Sequence, residues 1–334
     1  MNTDSKKFKA FLVSQKPYGG FQHEITERYI SDLPDGEVLI RVHYSSLNYK
    51  DGLSSTGNKA VTHNYPHIPG IDAAGIVASS TTEEWKAGDQ VVVTGFDLGM
   101  NTSGGFGEYI RVPAKWVVKL PQGLTLKHSM IYGTAGFTAG LSVAALIHEN
   151  IRPDAGPIAV TGATGGVGSV TIAILSKLGY EAIAVSSKES AQAFLRKIGA
   201  ASIIPRNEVE DAGAKILLTP RFSAAVDTVG GRVLATIIKS LKYGGTVTTC
   251  GMVNGGDLPL TVFPFILRGV KLIGIDSVEL PMEYRLPVWE KLGTEWRPDN
   301  IDSLAHEISL EELPDAIGKI LHGEMEGRAV VSLL

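Results

Sequence analysis

Eight consecutive residues constrain this chain more than any others: Thr161-Gly162-Ala163-Thr164-Gly165-Gly166-Val167-Gly168, set after an apolar run at 158–161 and before a helical pattern. Val167, Val170, Ile174 and Leu178 recur at helix spacing, and the unit runs into a second apolar strand at 182–185. That is the length of a strand–helix–strand crossover. Glycines at such a turn let the backbone bend sharply and approach a diphosphate, whose charge then meets free amides and the positive end of the helix dipole. The spacing G-x-x-G-x-x-G differs from the commoner G-x-G-x-x-G, so the flanking strands and helix carry the assignment.

What ends the second strand selects the cofactor. An Asp or Glu there binds a ribose 2′-hydroxyl, whereas a 2′-phosphate needs that carboxylate absent and a cation nearby. The strand ends Val185-Ser186-Ser187-Lys188, and Arg206 follows the next apolar pair, Ile203-Ile204. Two hydroxyls, an ammonium and a guanidinium suit a phosphate dianion, so NADPH is expected over NADH. A helix-capping Ser187 with a solvated Lys188 is the structural alternative.

From about residue 127 apolar strands at 158–161, 182–185, 224–226, 246–249 and 272–275 alternate with stretches long enough for crossover helices. Short strands without a polar face belong to a parallel sheet covered on both sides, so this half reads as doubly wound α/β. Ligands of such sheets bind at the carboxyl edge, which makes Asp227-Thr228-Val229-Gly230, Cys250-Gly251-Met252 and Asp276-Ser277 candidates for lining a nicotinamide pocket. Cys250 lacks any neighbouring cue for activation and reads as packed rather than nucleophilic. The first ~125 residues read instead as β-rich, with an alternating half-buried strand at 37–44 and Gly/Pro punctuation. Beyond Asp276 the pattern breaks at Pro281, Pro287 and Pro298. A helix near Leu310, presenting Leu313, Ile317, Ile320 and Leu321, and a strand at 329–334 then return the chain to the first domain. The expected domains are therefore 1–125 with 282–334, and 126–281.

Composition excludes more than it selects. Net charge −4, from 31 basic and 35 acidic residues, gives no footprint for nucleic acid or an anionic membrane. Uncharged stretches at 129–147 and 155–176 are diluted by Gly, Thr and Ser and read as a buried helix and a strand–turn–helix, not as membrane spans. The N-terminus has no continuous apolar stretch of the secretory kind. Cys250 is the single cysteine, which excludes an intramolecular disulfide and a Cys-based zinc site and suits a cytoplasmic location. His63 and His67 are separated by Tyr65-Pro66, which rules out a regular helix presenting both, so no metal is expected.

With these motifs in hand, the chain resembles the zinc-free branch of the medium-chain dehydrogenase/reductase superfamily, in its YhdH/YhfP-type quinone oxidoreductase and acrylyl-CoA reductase group. The resemblance runs along essentially the whole sequence. It rests on Ser45-Ser46-Leu47-Asn48-Tyr49-Lys50-Asp51, Ile68-Pro69-Gly70-Ile71-Asp72-Ala73-Ala74-Gly75, Gly104-Gly105-Phe106-Gly107-Glu108-Tyr109, Gly133-Thr134-Ala135-Gly136-Phe137-Thr138-Ala139, the glycine turn, Asp227-Thr228-Val229-Gly230 and Pro264-Phe265-Ile266-Leu267-Arg268. It implies a GroES-like β-rich catalytic domain built from both chain ends around a Rossmann domain, and a homodimer. In zinc-dependent relatives a Cys stands at Asn48 and a His-Glu pair at Ile71-Asp72; neither zinc-ligand position is kept. The resemblance also places Tyr49, Thr164, Gly165, Gly166, Val167, Ser186, Ser187, Lys188 and Arg206 at cofactor-contacting positions, and Arg328 at a basic position reaching the cofactor or the interdomain cleft. Relatives often have Gly-Arg at Ser187-Lys188, which keeps the charge and loses the planar fork.

A metal-free site of this kind suits hydride delivery from NADPH to an electron-poor C=C conjugated with a carbonyl. Negative charge then builds on the carbonyl oxygen, and a donor aimed there lowers the barrier. Tyr49 is the expected donor or α-carbon proton source, with Asn48 and Asp51 orienting it; its alternative is a contact to nicotinamide without acid work. The expected substrate is a small 2-enoyl thioester such as acryloyl-CoA, whose phosphates require cations such as Lys50, Lys59 or Arg268. A quinone, needing only a flat apolar slot, is the second reading, and an NADPH-binding sensor or structural protein with little catalysis is a third of another class.

Overall fold

The computed structural model describes residues 5–213 and 215–334. The chain opens with β1 (Lys7–Gln15), β2 (Phe21–Tyr29), β3 (Val38–Leu47), α1 (Tyr49–Ser55), β4 (Asp72–Ser80), β5 (Gln90–Thr94), β6 (Tyr109–Val112), β7 (Val118–Lys119) and α2 (Leu126–His148). There follow β8 (Ile158–Val160), α3 (Gly166–Lys177), β9 (Ala182–Val185), α4 (Gln192–Lys197), β10 (Ser202–Ile204), β11 (Phe222–Asp227), α5 (Gly231–Lys239), β12 (Leu241–Thr249), α6 (Phe263–Arg268) and β13 (Lys271–Gly274). The last elements are α7 (Met282–Gly293), β14 (Ala305–Ile308), α8 (Leu313–Leu321) and β15 (Arg328–Ser332).

Two compact units result. The first holds the residues up to Thr134 with Val278–Gly293 and Ala305–Leu334; the second holds Ala135–Ser277 and Thr294–Leu304. The division differs from the 125/126 and 281/282 boundaries expected from sequence. It falls inside α2, one residue past Gly133, whose φ of +51° and ψ of −156° break the helix. The short 294–304 segment goes with the second unit, where the Asp299 carboxylate accepts from Lys177 Nζ at 2.6 Å and Asn300 Nδ2 donates to the Lys197 carbonyl at 3.2 Å.

In the first unit β3 is the hub. It pairs antiparallel with β4, β6 and β15 in the sheet β14-β15-β3-β4-β5-β7, while β1 and β2 form a separate hairpin. The alternation expected at 37–44 holds in part: Val38, Ile40 and Val42 are buried and Arg41 is exposed, but Leu39 is buried as well. Phe8, Phe11, Leu98, Phe106 and Ile110 pack into the same core. Helix α7 also departs from expectation, since Pro287 lies inside it. Burial of Trp289 and Leu292 at 1% and 0% exposure outweighs the main-chain hydrogen bond that proline forgoes.

The second unit is a six-stranded parallel sheet in the order β10-β9-β8-β11-β12-β13. Chain direction across the sheet reverses between β8 and β11, which is the switch point where such sheets open a crevice at their carboxyl ends. All four residues of β9 are buried, as helices on both faces require. The apolar stretches that mimic membrane spans become α2 and the β8–turn–α3 segment; 72% of the most apolar window of α2 is buried in the protein.

Candidate cofactor and active site

The glycine turn closes by a hydrogen bond from Gly165 N to the Gly162 carbonyl at 2.9 Å. Gly162 has φ +57°, and a Cβ there would stand 2.1 Å from the Thr228 hydroxyl oxygen. A Cβ at Gly168 would stand 2.3 Å from the Gly162 carbonyl oxygen, so α3 packs onto the turn only because that position is bare. Gly165 caps α3 without any side-chain hydrogen bond. The first amides of α3 thus carry no side-chain acceptor, and they present the positive end of the helix.

A buried carboxyl braces this turn from below. Asp227, 0% exposed at the end of β11, accepts from Thr161 Oγ1 at 2.8 Å, Gly230 N at 2.9 Å and Thr249 Oγ1 at 3.1 Å. Thr161 Oγ1 in turn accepts from Thr228 N at 2.9 Å, and Thr228 Oγ1 donates to the Thr161 carbonyl at 3.0 Å. The ends of β8, β11 and β12 are tied together by one side chain. Burial raises the pKa of Asp227. It also acts on Cys250, whose thiol lies 3.6 Å from the Asp227 carbonyl oxygen and is pushed up to about 12, first by burial and then by the Asp227 charge. Cys250 is thus an unreactive packed thiol. A Cβ at Gly251 would stand 2.0 Å from the Thr228 carbonyl oxygen, which presses the segment after β12 against β11.

At the ends of β9 and β10 the four residues expected at a 2′-phosphate are linked in two pairs. Ser186 Oγ accepts from Lys188 N at 3.2 Å, and Ser187 Oγ accepts from Arg206 N at 3.0 Å. Both hydroxyls keep their own proton to donate. Arg206 Nη2 donates to Asn254 Oδ1 at 2.6 Å, and its Nε lies 3.3 Å from Glu210 Oε2. Ser277 is 8% exposed, and its Oγ accepts from Thr138 Oγ1 at 2.8 Å.

The first unit holds a second buried centre. Asp72, 0% exposed at the start of β4, accepts from Ser46 Oγ at 2.6 Å, Asn48 Nδ2 at 2.7 Å, Thr134 N at 2.9 Å and Thr134 Oγ1 at 2.6 Å. Arg328 Nη2 stands 3.7 Å from the same carboxylate and donates to Ser46 Oγ at 2.9 Å. Its Nε and Nη1 donate to the carbonyls of Ile131 and Leu47, both at 3.1 Å. Expected from the resemblance to reach the cofactor or a cleft, Arg328 is instead 2% exposed, with all three nitrogens committed inside this unit. Burial lowers its pKa, and the charges of Asp72 and Asp51 oppose that shift.

Asp51 is also fully buried. It accepts from Asn48 N at 2.8 Å, Gly70 N at 3.1 Å and Ile71 N at 2.9 Å, and its pKa is pushed up to about 7, first by burial and then by the Asp72 charge. Tyr49 opens α1 with 43% of its surface exposed. The expectation that Asn48 and Asp51 orient Tyr49 therefore takes a different form: their side chains bind Asp72 and main-chain amides, fixing the start of α1 rather than touching the phenol.

The positions that hold zinc in related enzymes do not fit a metal here. Asn48 points an amide donor at Asp72, Ile71 offers no ligand atom, and the Asp72 oxygens are saturated by protein donors. Among the described residues no group of three or more His, Cys, Asp or Glu is placed to hold a metal ion. Of the cations considered for a CoA tail, Arg268 is committed to main-chain carbonyls, with Nη1 to Lys239 and Leu241 at 2.9 and 3.0 Å and Nη2 to Leu218 at 2.6 Å. Lys59 donates to the His63 carbonyl at 2.7 Å, and Lys50 Nζ lies 3.9 Å from Met100 Sδ. Sequence reasoning missed Thr161, Thr134, Ser46 and Asn254. Thr161, Thr134 and Ser46 lie within the motifs given above without having been assigned a role there, whereas Asn254 lies in none of them.

Comparison with known proteins gives a consistent result. The alcohol dehydrogenase GroES-like domain family matches residues 34–122, and the zinc-binding dehydrogenase family matches residues 166–292. The chain is 46% identical to Bacillus subtilis YhfP, named as a quinone oxidoreductase, over 90% of this chain and 92% of that protein. It is 42% identical to the acrylyl-CoA reductase AcuI of Ruegeria pomeroyi over 98% and 99%. Its fold matches the crystal structure of the Salmonella enterica YhdH oxidoreductase in complex with NADP, with a TM-score of 0.93 and 42% identity, over 97% of this chain and 99% of that one. The crystal structure of YhfP, which has NAD bound, matches with a TM-score of 0.95 and 42% identity, over 98% and 100%.

Proposed function

The chain belongs to the medium-chain dehydrogenase/reductase family, in the group of YhfP, AcuI and YhdH, and on that premise we propose that it reduces the activated C=C of a small 2-enoyl thioester of the acryloyl-CoA kind with NADPH. It is an oxidoreductase. The observation that carries the thioester reading is identity with AcuI along nearly the entire length of both chains. NADPH, when bound, supplies the hydride.

The remaining roles fall to the chain's own residues. The amides around Thr164, Gly165, Gly166 and Val167 hold the diphosphate, and the unsubstituted Gly162 and Gly168 let the turn close against Thr228 and α3 so that those amides are presented. Ser186, Ser187, Lys188 and Arg206 take the 2′-phosphate, while Cys250, Gly251 and Ser277 offer packed, uncharged surface to the nicotinamide end. The Tyr49 phenol donates toward the carbonyl oxygen on which charge gathers, or returns a proton to the α-carbon. Asn48 and Asp51 position it through the start of α1. A cytoplasmic homodimer is the working form this reading takes. The single Cys250 suits a reducing compartment, and β13 leaves one strand edge of the sheet unpaired next to exposed Ile266 and Leu267.

The 46% identity with YhfP favours quinone reduction as a second reading. Steady-state NADPH oxidation by the purified protein, with acryloyl-CoA and with a simple benzoquinone, separates the two. Saturable thioester turnover is the expected result. Turnover of the quinone alone overturns the thioester reading, and NADPH binding without turnover of either, or of enals and enones, points to a sensor or structural protein.

A further inference from the structure

Resting on the reading of Arg206 as a contact to the cofactor's 2′-phosphate, we infer that Asn254 is a specificity-determining residue, setting the preference for NADPH over NADH by fixing the Arg206 guanidinium. Arg206 lies just past β10 and Asn254 just past β12, 48 residues apart in sequence, yet Nη2 of one donates to Oδ1 of the other at 2.6 Å. Glu210 holds the Nε edge of the same group at 3.3 Å. The guanidinium is thus gripped on two sides. Of its five N–H donors these contacts use two, and the rest of the fork stays available to an anion.

The grip is effective because Asn254 is itself immobilised. Its N–H donates to the Val229 carbonyl at 2.7 Å, and a Cβ on Gly231, the first residue of α5, would stand 2.3 Å from its carbonyl oxygen. Gly231 has φ +60° and Gly230 has φ +72°, so the backbone bends tightly there to let the Asn254 main chain lie against it. On the other side, the Arg206 main chain is tied to Ser187 Oγ at 3.0 Å. One arginine is therefore anchored at its backbone by the strand-end serine and at its tip by a loop from the far half of the sheet whose main chain is tied to Val229. Pre-organising a charged side chain removes part of the ordering cost that binding would otherwise carry. The neutral amide of Asn254 does this without adding a second carboxylate to that of Glu210. A carboxylate in its place would pair with the guanidinium and repel a phosphate dianion.

The test measures dissociation constants of NADPH and NADH for the full-length protein by calorimetry, in the native chain and in Arg206→Ala, Asn254→Asp and Asn254→Ala. The ratio of the two constants is read, because a general loosening of the unit weakens both cofactors together. Arg206→Ala and Asn254→Asp are expected to cut the preference for NADPH tenfold or more, and Asn254→Ala about threefold. If Arg206→Ala lowers the ratio while both Asn254 variants retain it, the inference falls and the phosphate reading stands. If Arg206→Ala leaves the ratio unchanged, both fall.

Discussion

Asp72 and Asp227 make an instructive pair. Each is fully buried at one end of a strand, each takes a threonine hydroxyl, and each holds a backbone N–H where a helix begins: Thr134 N after the break in α2, and Gly230 N before α5. They differ in what else surrounds them. Asp72 has a buried guanidinium at 3.7 Å and three further side-chain donors, and it stands against the break at Gly133, where a Cβ would come within 2.3 Å of its Oδ2. Asp227 has hydroxyls and one amide, and it braces the glycine turn proposed to receive the dinucleotide. One centre is an ionic lock in the first unit; the other is a neutral-partner brace in the second. A site for a polyanionic ligand profits from leaving its own fixed negative charge buried and screened by hydroxyls, whereas a purely internal lock tolerates full charge on both partners.

Breaking the lock is expected to cost most. Arg328→Met strands the Asp72 carboxylate among buried donors and should destabilise the first unit by about 3–5 kcal/mol, read by chemical denaturation. Gly168→Ala comes next, because its Cβ must displace the Gly162 carbonyl from 2.3 Å, a backbone shift worth about 1–3 kcal/mol. It should weaken NADPH binding in calorimetry by tenfold or more. Asp227→Asn keeps the shape of the brace and sets one amide donor against Gly230 N or a threonine hydroxyl. Its stability cost should be about 1–3 kcal/mol, smaller than that of Arg328→Met, since no opposite charge is left behind. If the two losses prove equal, the distinction between lock and brace disappears.

The smallest effect is one of slope. Asp51, with its folded pKa near 7 against an ordinary value of 3.8, holds a proton in the folded state that the unfolded chain releases between those values. The folded state therefore binds more protons across that window, and stability falls as pH rises through it. Asp51→Asn removes this component. Denaturation midpoints of the variant measured from pH 4 to 7 should decline less steeply than those of the native protein, and an unchanged slope would contradict the burial assigned to Asp51.

Much of the second unit was legible before any coordinates. The strand at 182–185 falls where periodicity put it, and the strand–turn–helix around Gly165 is local, set by glycine spacing and neighbouring apolar runs. Ser187 and Arg206, the residues proposed for the 2′-phosphate, do meet, because strand order in a parallel sheet brings successive strand ends together. Less could be read of the first unit. In β3 the burial of Leu39 interrupts the alternation that marks a half-buried strand, and Pro287 obscured α7 although tertiary packing retains the helix. The boundary inside α2 left no trace in composition.

Local chemistry in the chain itself determined the glycine turn and the absent acid at the end of β9, since each depends on residue types a few positions apart. Only the tertiary structure decided that Arg328 turns inward to Asp72, that Asp227 braces the turn, and that Asn254 grips Arg206. Those pairings join residues from 48 to 256 positions apart, and a polar side chain finds such a partner only once strand order and burial have removed its competing partner, water.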